Sequence, residues 1–204
     1  MIRKVLIISA FLLSAVCIYA AQSDDASLIR QCAAKIKSAP SLNVSYTVTA
    51  DGNTAGGVLV LQGDMFTISS PGMVSWYDGK TQWTYSDQIG EVNVIAPTAE
   101  EVQQINPFAI VKSFSSSYLS RRMGSEGGVT TMRLTAKDRK SDITSADISI
   151  NDKTLYPTRI VLTMSNRQKV TVNIKSVRTG KRLPVSNFRF DAARYPGVRV
   201  VDLR

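Results

Sequence analysis

Side chains that commonly carry catalysis are scarce in this chain of 204 residues. It contains no histidine and only two cysteines, Cys17 and Cys32. The absence of histidine excludes Ser-His-Asp triads, Cys-His nucleophile systems and nearly every catalytic zinc site. Two cysteines are too few for a disulfide framework or a cysteine-rich metal centre. These counts exclude most classes of hydrolase and metalloenzyme.

The remaining candidates for catalysis are carboxylates and hydroxyls. Glu100 and Glu101 are adjacent on a predicted helix, so their side chains diverge and cannot work as one acid–base pair. They are better explained as first-turn charges that complement the helix dipole. The serines at 115–117 have no motif beside them that would supply a general base. The chain also has no G-x-S-x-G, P-loop or H-E-x-x-H signature. We therefore expect no enzymatic activity, no cofactor and no metal site.

What remains is noncovalent binding by apolar side chains, and the sequence pattern indicates which elements position them. From Leu42 onward apolar and polar residues alternate, which is typical of a strand with one buried face. Roughly a dozen runs of this kind follow at close spacing, as in an all-β domain. The Asp78-Gly79 dipeptide between two of them is typical of a tight hairpin turn. The pattern predicts one large sheet.

Helical stretches precede and interrupt these strands. Residues 24–38 carry apolar residues at helical spacing, including Cys32, which we interpret as a buried hydrophobe rather than a reactive thiol. Thr98 followed by Glu101 has the spacing of a capping box. Asn106-Pro107 then begins a second short apolar helix. Two helices inserted among strands must cover part of the sheet.

A sheet of this size must bury one face, either by closing around a filled interior or by enclosing helices and leaving an apolar concavity. Phe66 and Ile68 share one face of a strand, whereas Phe108, Ile110 and Val111 lie on the inserted helix. These five residues would be core in the first case and pocket lining in the second. The alternation alone does not distinguish the two.

The first 20 residues have the features of an export signal. Basic residues precede an apolar run at 5–16, and alanines follow it. The run is shorter than the about 20 apolar residues that span a bilayer. Cys17 follows Val16 rather than a small residue, which argues against lipidation. We predict a cleaved signal peptide at residues 1–20 and a single domain at 21–204, with an uncleaved N-terminal anchor as the alternative.

The charge is basic, with 25 Lys+Arg against 16 Asp+Glu and a formal net charge of +9. An exported protein meets no chromosome, so this charge favours an anionic membrane surface or an acidic partner over nucleic acid. The cations lie in separate clusters interleaved with acids, which is typical of solvated loops and sheet rims. We expect no nucleic-acid binding.

Three motifs occur in order along the chain. They are the hairpin Asp78-Gly79-Lys80-Thr81-Gln82-Trp83-Thr84-Tyr85, the helix start Asn106-Pro107-Phe108, and the ending Phe188-Arg189-Phe190 followed by Pro196-Gly197-Val198-Arg199-Val200. They resemble the D-G-x-x-x-W-x-Y hairpin, the N/T-P-F/L helix start and the F-x-F…P-x-G-V-x-V close of the LolA-like family of periplasmic lipoprotein carriers. The resemblance covers nearly the whole chain after the predicted signal peptide.

This resemblance implies a mainly β (α+β) fold, an incomplete antiparallel β-barrel of about eleven strands with an N-terminal helix and an internal helical lid. It implies a monomeric periplasmic carrier that shields lipoprotein acyl chains, takes them from an inner-membrane ABC transporter and delivers them to an outer-membrane receptor. The acyl pocket would be lined by Phe66, Ile68, Phe108, Ile110 and Val111. An envelope lipid-binding sensor or regulator with the same half-barrel is the alternative.

The chain departs from the family at the lid latch. Family members commonly have an arginine and then a proline before the strand phenylalanine, and this arginine hydrogen-bonds the lid. Aligning on Phe66 places Gln62 and Gly63 at those two positions. A neutral amide can bond a lid carbonyl, but without charge assistance. The resemblance therefore implies that Gln62 is a weak lid latch.

Overall fold

The computed structural model describes residues 22–204, so the predicted signal peptide and Cys17 lie outside the described residues. The helices are α1 (Gln22–Ser38), α2 (Ala99–Ile105) and α3 (Pro107–Ser117). The strands are β1 (Ser41–Ala50), β2 (Asn53–Gln62), β3 (Met65–Ser70), β4 (Met73–Tyr77), β5 (Gln82–Ser86), β6 (Glu91–Ile95), β7 (Tyr118–Glu126), β8 (Val129–Ala136), β9 (Ile143–Asn151), β10 (Pro157–Met164), β11 (Lys169–Gly180) and β12 (Arg199–Asp202). None of the helices in this described part is long and apolar enough to cross a membrane.

All the strands belong to one 12-stranded sheet with the order β12-β6-β5-β4-β3-β2-β1-β11-β10-β9-β8-β7. Neighbouring strands are antiparallel, except that β12 runs parallel to β6. Within residues 22–204 the edge strands β12 and β7 do not pair with each other, so the sheet stays open. The predicted mainly β fold with an incomplete barrel is confirmed.

Local hydrogen bonds explain the hairpin between β4 and β5. The Asp78 carboxylate accepts hydrogen bonds from the amides of Lys80 (3.1 Å) and Thr81 (2.9 Å), which closes the turn. Gly79 has a φ of 97°, a conformation that glycine adopts without a steric cost. The hairpin predicted from Asp78-Gly79 is confirmed.

The helical insert between β6 and β7 consists of α2 and α3, and each helix begins at a side-chain cap. Thr98 caps α2, and its backbone amide donates a hydrogen bond to the Glu101 carboxylate at 2.7 Å, which completes the predicted capping box. Asn106 caps α3 by accepting a hydrogen bond from the Phe108 amide at 3.1 Å, and Pro107 occupies the first turn. These caps satisfy backbone donors that a helix start leaves free.

The inner face of the sheet, which we define as the face covered by the helices, is filled by side chains. Helix α1 contributes Ile29, Cys32 and Ile36, and α3 contributes four buried apolar residues to the same cluster. Burial raises the pKa of the Cys32 thiol to about 12, so it stays protonated at neutral pH. The predicted role of Cys32 as a buried hydrophobe is confirmed.

The segment after β11 covers part of the opposite, outer face. Thr67, which alternates with the inward-facing residues of β3, donates a hydrogen bond to the Asn187 carbonyl at 2.8 Å. The ring of Trp76 contacts the rings of Phe190 and Tyr195, with centroids 5.7 and 5.6 Å away. The segment after β11 therefore covers the outer face at β3 and β4.

Candidate functional site

A groove lies between α1, the helical insert and the turn from β2 to β3. Its volume is about 470 Å³, within the size range of ligand sites. It is lined by Ala33, Ala34, Lys37, Asp64, Tyr77, Ala99, Val102, Gln103, Asn106, Ala109, Lys112 and Ser113. We call it the helix groove.

Part of the wall of the helix groove, where α1 faces α3, is built from small side chains. Ala33 and Ala34 of α1 and Ala109 and Ser113 of α3 all line it, and the two helices contact each other. Because these side chains reach little beyond Cβ, they leave space between the helices. The Ser113 hydroxyl donates to the Ala109 carbonyl at 3.0 Å, so its hydrogen is used within α3. This stretch of the wall is therefore smooth, whereas Tyr77, Gln103 and Asn106 bring polar groups to the groove.

Tyr77 connects the helix groove to the core. Its ring lies 5.1 Å from the ring of Phe66, measured between centroids. Burial, with smaller contributions from Asp64 and Asp78, raises the pKa of the Tyr77 phenol. The hydroxyl therefore stays protonated at neutral pH and can donate a hydrogen bond.

The insert is attached to the sheet at the loop between β8 and β9. The Glu100 carboxylate of α2 accepts hydrogen bonds from the Ser141 hydroxyl and the Asp142 amide, both at 2.7 Å. Gln104 donates its side-chain amide to the Asp142 carboxylate at 3.0 Å. Three hydrogen bonds thus hold α2 at this side of the groove.

A single lysine joins α3 to the rim on the other side. Lys112 donates its ammonium group to the Gly63 carbonyl at 2.7 Å and forms an ion pair with Asp64. The Lys112 side chain is 17% exposed and that of Asp64 82% exposed. Water therefore competes for the carboxylate, and exposed pairs of this kind contribute about 0–1 kcal/mol. The rim contact is weak.

The five residues predicted to line the acyl pocket lie in the filled core. Phe66, Ile68, Phe108, Ile110 and Val111 are all 5% exposed or less, and none of them lines the helix groove. All five face inward, and α1 and α3 occupy the space that they enclose. Their role as an acyl pocket stays a prediction, and it requires the insert to move.

Gln62 makes different contacts from the predicted lid latch. Its side-chain amide donates to the Leu183 carbonyl at 3.0 Å, and its side-chain oxygen accepts from the Leu183 amide at 2.7 Å. Within residues 22–204 the side chain makes no hydrogen bond to the insert. In this conformation Gln62 holds the segment after β11. The insert is instead bonded by Lys112, which donates to the turn immediately after Gln62.

The sequence contains a signal for the rim contact. Lys112 is the only charged residue in the apolar helix Pro107–Ser117, and Asp64 is the only charged residue in the turn that precedes Met65. A lone cation on a helix that covers a core needs an acceptor at its edge. The small residues of the groove carried no comparable signal, because alanine suits both core and helix surface.

The helix groove suits binding rather than bond chemistry. Within residues 22–204, no three side chains of His, Cys, Asp or Glu lie together in a way that could hold a metal ion. The charged side chains that line the groove are Lys37, Asp64 and Lys112, and two of these are paired at the rim. The apolar walls are suited to an apolar ligand.

Comparisons with known proteins give a family and a fold. A family model described as outer membrane lipoprotein carrier protein LolA matches residues 17–168. No curated protein sequence matches the chain. Among solved structures, an uncharacterized conserved protein from Thermus thermophilus is similar with a TM-score of 0.57 and 10% identity, covering 89% of this chain and 98% of that chain.

Two further structures are more distant. A DUF1329 family protein from Desulfovibrio piger has a TM-score of 0.51 and 11% identity, covering 81% of this chain and 95% of that chain. A LolA superfamily protein from Nitrosomonas europaea has a TM-score of 0.45 and 13% identity, covering 82% of this chain and 98% of that chain. At such identities the matches with the Thermus and Desulfovibrio proteins show a shared fold only.

Proposed function

The chain belongs to the LolA family of outer membrane lipoprotein carriers, whose model matches residues 17–168, and we propose on this basis that it carries lipoproteins through the periplasm by shielding their acyl chains. The observation that carries the proposal is the helix groove, a space of about 470 Å³ between α1 and the helical insert. Proteins of this family are carriers rather than enzymes. In the proposed function the lipoprotein is handed over intact, and no covalent bond forms or breaks.

The size of the helix groove limits what it holds in this conformation. At about 30 Å³ for each water-sized group, 470 Å³ accommodates roughly fifteen methylene-sized groups, or one long acyl chain. At about 0.8 kcal/mol for each buried methylene, such a chain contributes on the order of 10 kcal/mol. A ligand with several acyl chains therefore needs the insert to move away from α1.

Movement of the insert breaks the weak rim contact and uncovers four buried apolar side chains of α3, so the ligand must replace their core contacts. The Lys112–Asp64 pair is worth about 0–1 kcal/mol, much less than the burial of one acyl chain. As α3 moves, Phe108, Ile110 and Val111 exchange contacts with the core for contacts with the ligand. In this way the predicted acyl-pocket residues act in the loaded state.

The cellular setting follows from the same proposal. The predicted signal peptide at residues 1–20 exports the chain to the periplasm, where an inner-membrane ABC transporter supplies the lipoprotein and an outer-membrane receptor accepts it. The mass of the protein purified from the periplasm tests export. A mass that lacks the first 20 or 21 residues supports the proposal, whereas a full-length or acylated mass contradicts it.

Displacement of a fluorescent palmitate analogue by palmitate tests acyl-chain binding to the purified chain. Ala109→Phe fills the helix groove and should weaken binding by about tenfold or more, because the added ring occupies the space of several methylenes. The matched control is Ala192→Phe, on an exposed turn outside the groove. Equal binding by both variants would exclude the groove, and no binding by the unmodified chain would exclude the carrier function.

A further inference from the structure

The inner face of β4, β5 and β6 carries polar side chains next to the helix groove. Strand register places Ser75 beside Thr84, and Thr84 beside Asn93. In the next pair along the strands Tyr77 lies beside Gln82. Because Tyr77 lines the helix groove, this polar strip adjoins the floor of the groove. The strip contrasts with the apolar inner face of the neighbouring strand β3.

Gln82 has an unused hydrogen-bond acceptor in this strip. Gln82 is buried, with 4% of its surface exposed. Its side-chain NH₂ group donates to the Thr84 hydroxyl at 3.1 Å, and that hydroxyl lies 2.9 Å from the Ser75 hydroxyl. The side-chain oxygen Oε1 has no hydrogen-bond partner among the residues that the structure describes. Buried acceptors are seldom left unpaired, since the cost of removing them from water is not recovered.

Tyr77 supplies the complementary group beside it. No residue in the described part of the chain accepts a hydrogen bond from the Tyr77 hydroxyl, and its raised pKa keeps the proton in place. Residues paired directly across two strands have neighbouring side chains. A donor on Tyr77, which lines the groove, and an acceptor on Gln82 behind it therefore lie on directly paired residues.

We propose that Tyr77 and Gln82 form a subsite for the secondary amide of an N-acylated ligand whose chain occupies the helix groove. The amide N–H donates to Gln82 Oε1, and the amide carbonyl accepts from the Tyr77 hydroxyl. An ester has a carbonyl but no N–H, so it satisfies only Tyr77. The inference deepens the proposed function and rests on it.

Two probes that differ at one group test the subsite: N-ethyl palmitamide and ethyl palmitate, each displacing a fluorescent palmitate analogue from the full chain. The unmodified chain should bind the amide about three- to tenfold more tightly than the ester, the range expected for one neutral hydrogen bond. Equal affinities for the two probes overturn the subsite and leave the carrier function standing. Failure of both probes to bind overturns the carrier function as well.

Variants assign the preference to the two residues. Gln82→Met removes the acceptor with little change in size and should abolish the preference while ester binding persists. Gln88→Met, on an exposed turn, should retain it. Tyr77→Phe should lower the affinity for both probes, whereas Tyr85→Phe, on the opposite face of the sheet, should leave both affinities unchanged. A preference that survives in a folded Gln82→Met, as judged by circular dichroism, contradicts the assignment.

Discussion

Lys112 is the side chain through which α3 closes the helix groove. It is the only cation on α3, and its acceptors belong to the turn between β2 and β3. The Asp64 carboxylate is exposed to water, which weakens its attraction to Lys112. A contact of this strength favours the closed state without preventing opening.

Replacing this lysine should therefore ease opening. Lys112→Met keeps most of the apolar stem and removes the charge, so the free energy of unfolding should fall by about 1 kcal/mol or less. Amide hydrogens of residues 98–117 should exchange about two- to fivefold faster, and palmitate should load faster. Lys175→Met, at an exposed position of β11, is the control. Unchanged exchange in the insert would show that Lys112 does not hold it.

Gln62 shows what sequence reasoning could and could not supply at a single position. Alignment on Phe66 located the β2–β3 turn correctly as the place where the sheet meets the insert. It could not show which residue of the turn makes the contact, because that depends on the direction of each side chain. Gln62 turns towards Leu183, and the backbone carbonyl of Gly63 receives the bond from the insert.

Gln62→Ala should therefore loosen the segment after β11 rather than the insert. The change removes two hydrogen bonds with the Leu183 backbone, so amides of residues 183–188 should exchange faster. Amides of residues 98–117 should keep their exchange rates. If the insert amides accelerate instead, Gln62 acts as the latch that the family resemblance implied. Exchange mass spectrometry resolves both segments in one experiment.

At the scale of elements, those with strong local signals were predicted closely. The Asp78-Gly79 hairpin, the capping box at Thr98 and the helix start at Asn106-Pro107 were predicted and are observed. Strand β7 has no comparable signal, because Arg121, Arg122 and Gly124 interrupt its alternation and because it is an edge strand with one partner. Charges on an edge strand hinder pairing with other chains, at the expense of a clear sequence pattern.

The segment after β11 was also predicted poorly, since short turns held by aromatic contacts have no periodicity. An ion pair attaches it to the β4–β5 hairpin, with Arg189 donating to the Asp78 carboxylate at 2.9 Å. Burial by itself would raise the pKa of Asp78. Hydrogen bonds from the Thr81 and Lys80 amides and the Arg189 guanidinium outweigh it and lower the pKa below its ordinary value of 3.8.

This lowered pKa makes the attachment dependent on pH. A carboxyl with a lower pKa in the folded state stabilises the fold above its unfolded pKa, and that contribution is lost as pH falls through the folded value. Asp78→Asn should lower the free energy of unfolding by roughly 1–2 kcal/mol at neutral pH. The deficit should shrink as pH falls below about 4, because the carboxyl of the unfolded chain takes up its proton first, and it should be lost once pH passes the lower pKa of the folded state. Urea unfolding at both pH values measures it.

Asp152→Asn, at an exposed position outside this contact, should show little deficit at either pH. A deficit for Asp78→Asn that stays constant with pH would mean that the turn geometry, rather than the charge, accounts for the stability.

At the scale of the whole molecule, the open sheet makes the filled core compatible with the proposed carrier function. The helices pack their apolar side chains against the inner face and add a few polar contacts, and the sheet does not close into a barrel around a permanent cavity. A ligand can therefore replace the insert as the cover of the same apolar surface. The sequence could not distinguish a filled interior from a hollow one, because both use the same inward-facing residues.

If the insert must move for loading, then locking it should weaken the binding of ligands with several acyl chains and spare the binding of ligands with one. In a Lys112→Cys, Asp64→Cys chain, a flexible bismaleimide linker joins α3 to the β2–β3 turn, while Cys32 is buried and protected from the reagent. The locked chain should still bind palmitate in the helix groove. It should lose about tenfold or more of its affinity for a synthetic triacylated lipopeptide, whose chains need the surface beneath α3. The same double variant without the linker should bind both, and undiminished lipopeptide binding by the locked chain would show that loading does not require the insert to move.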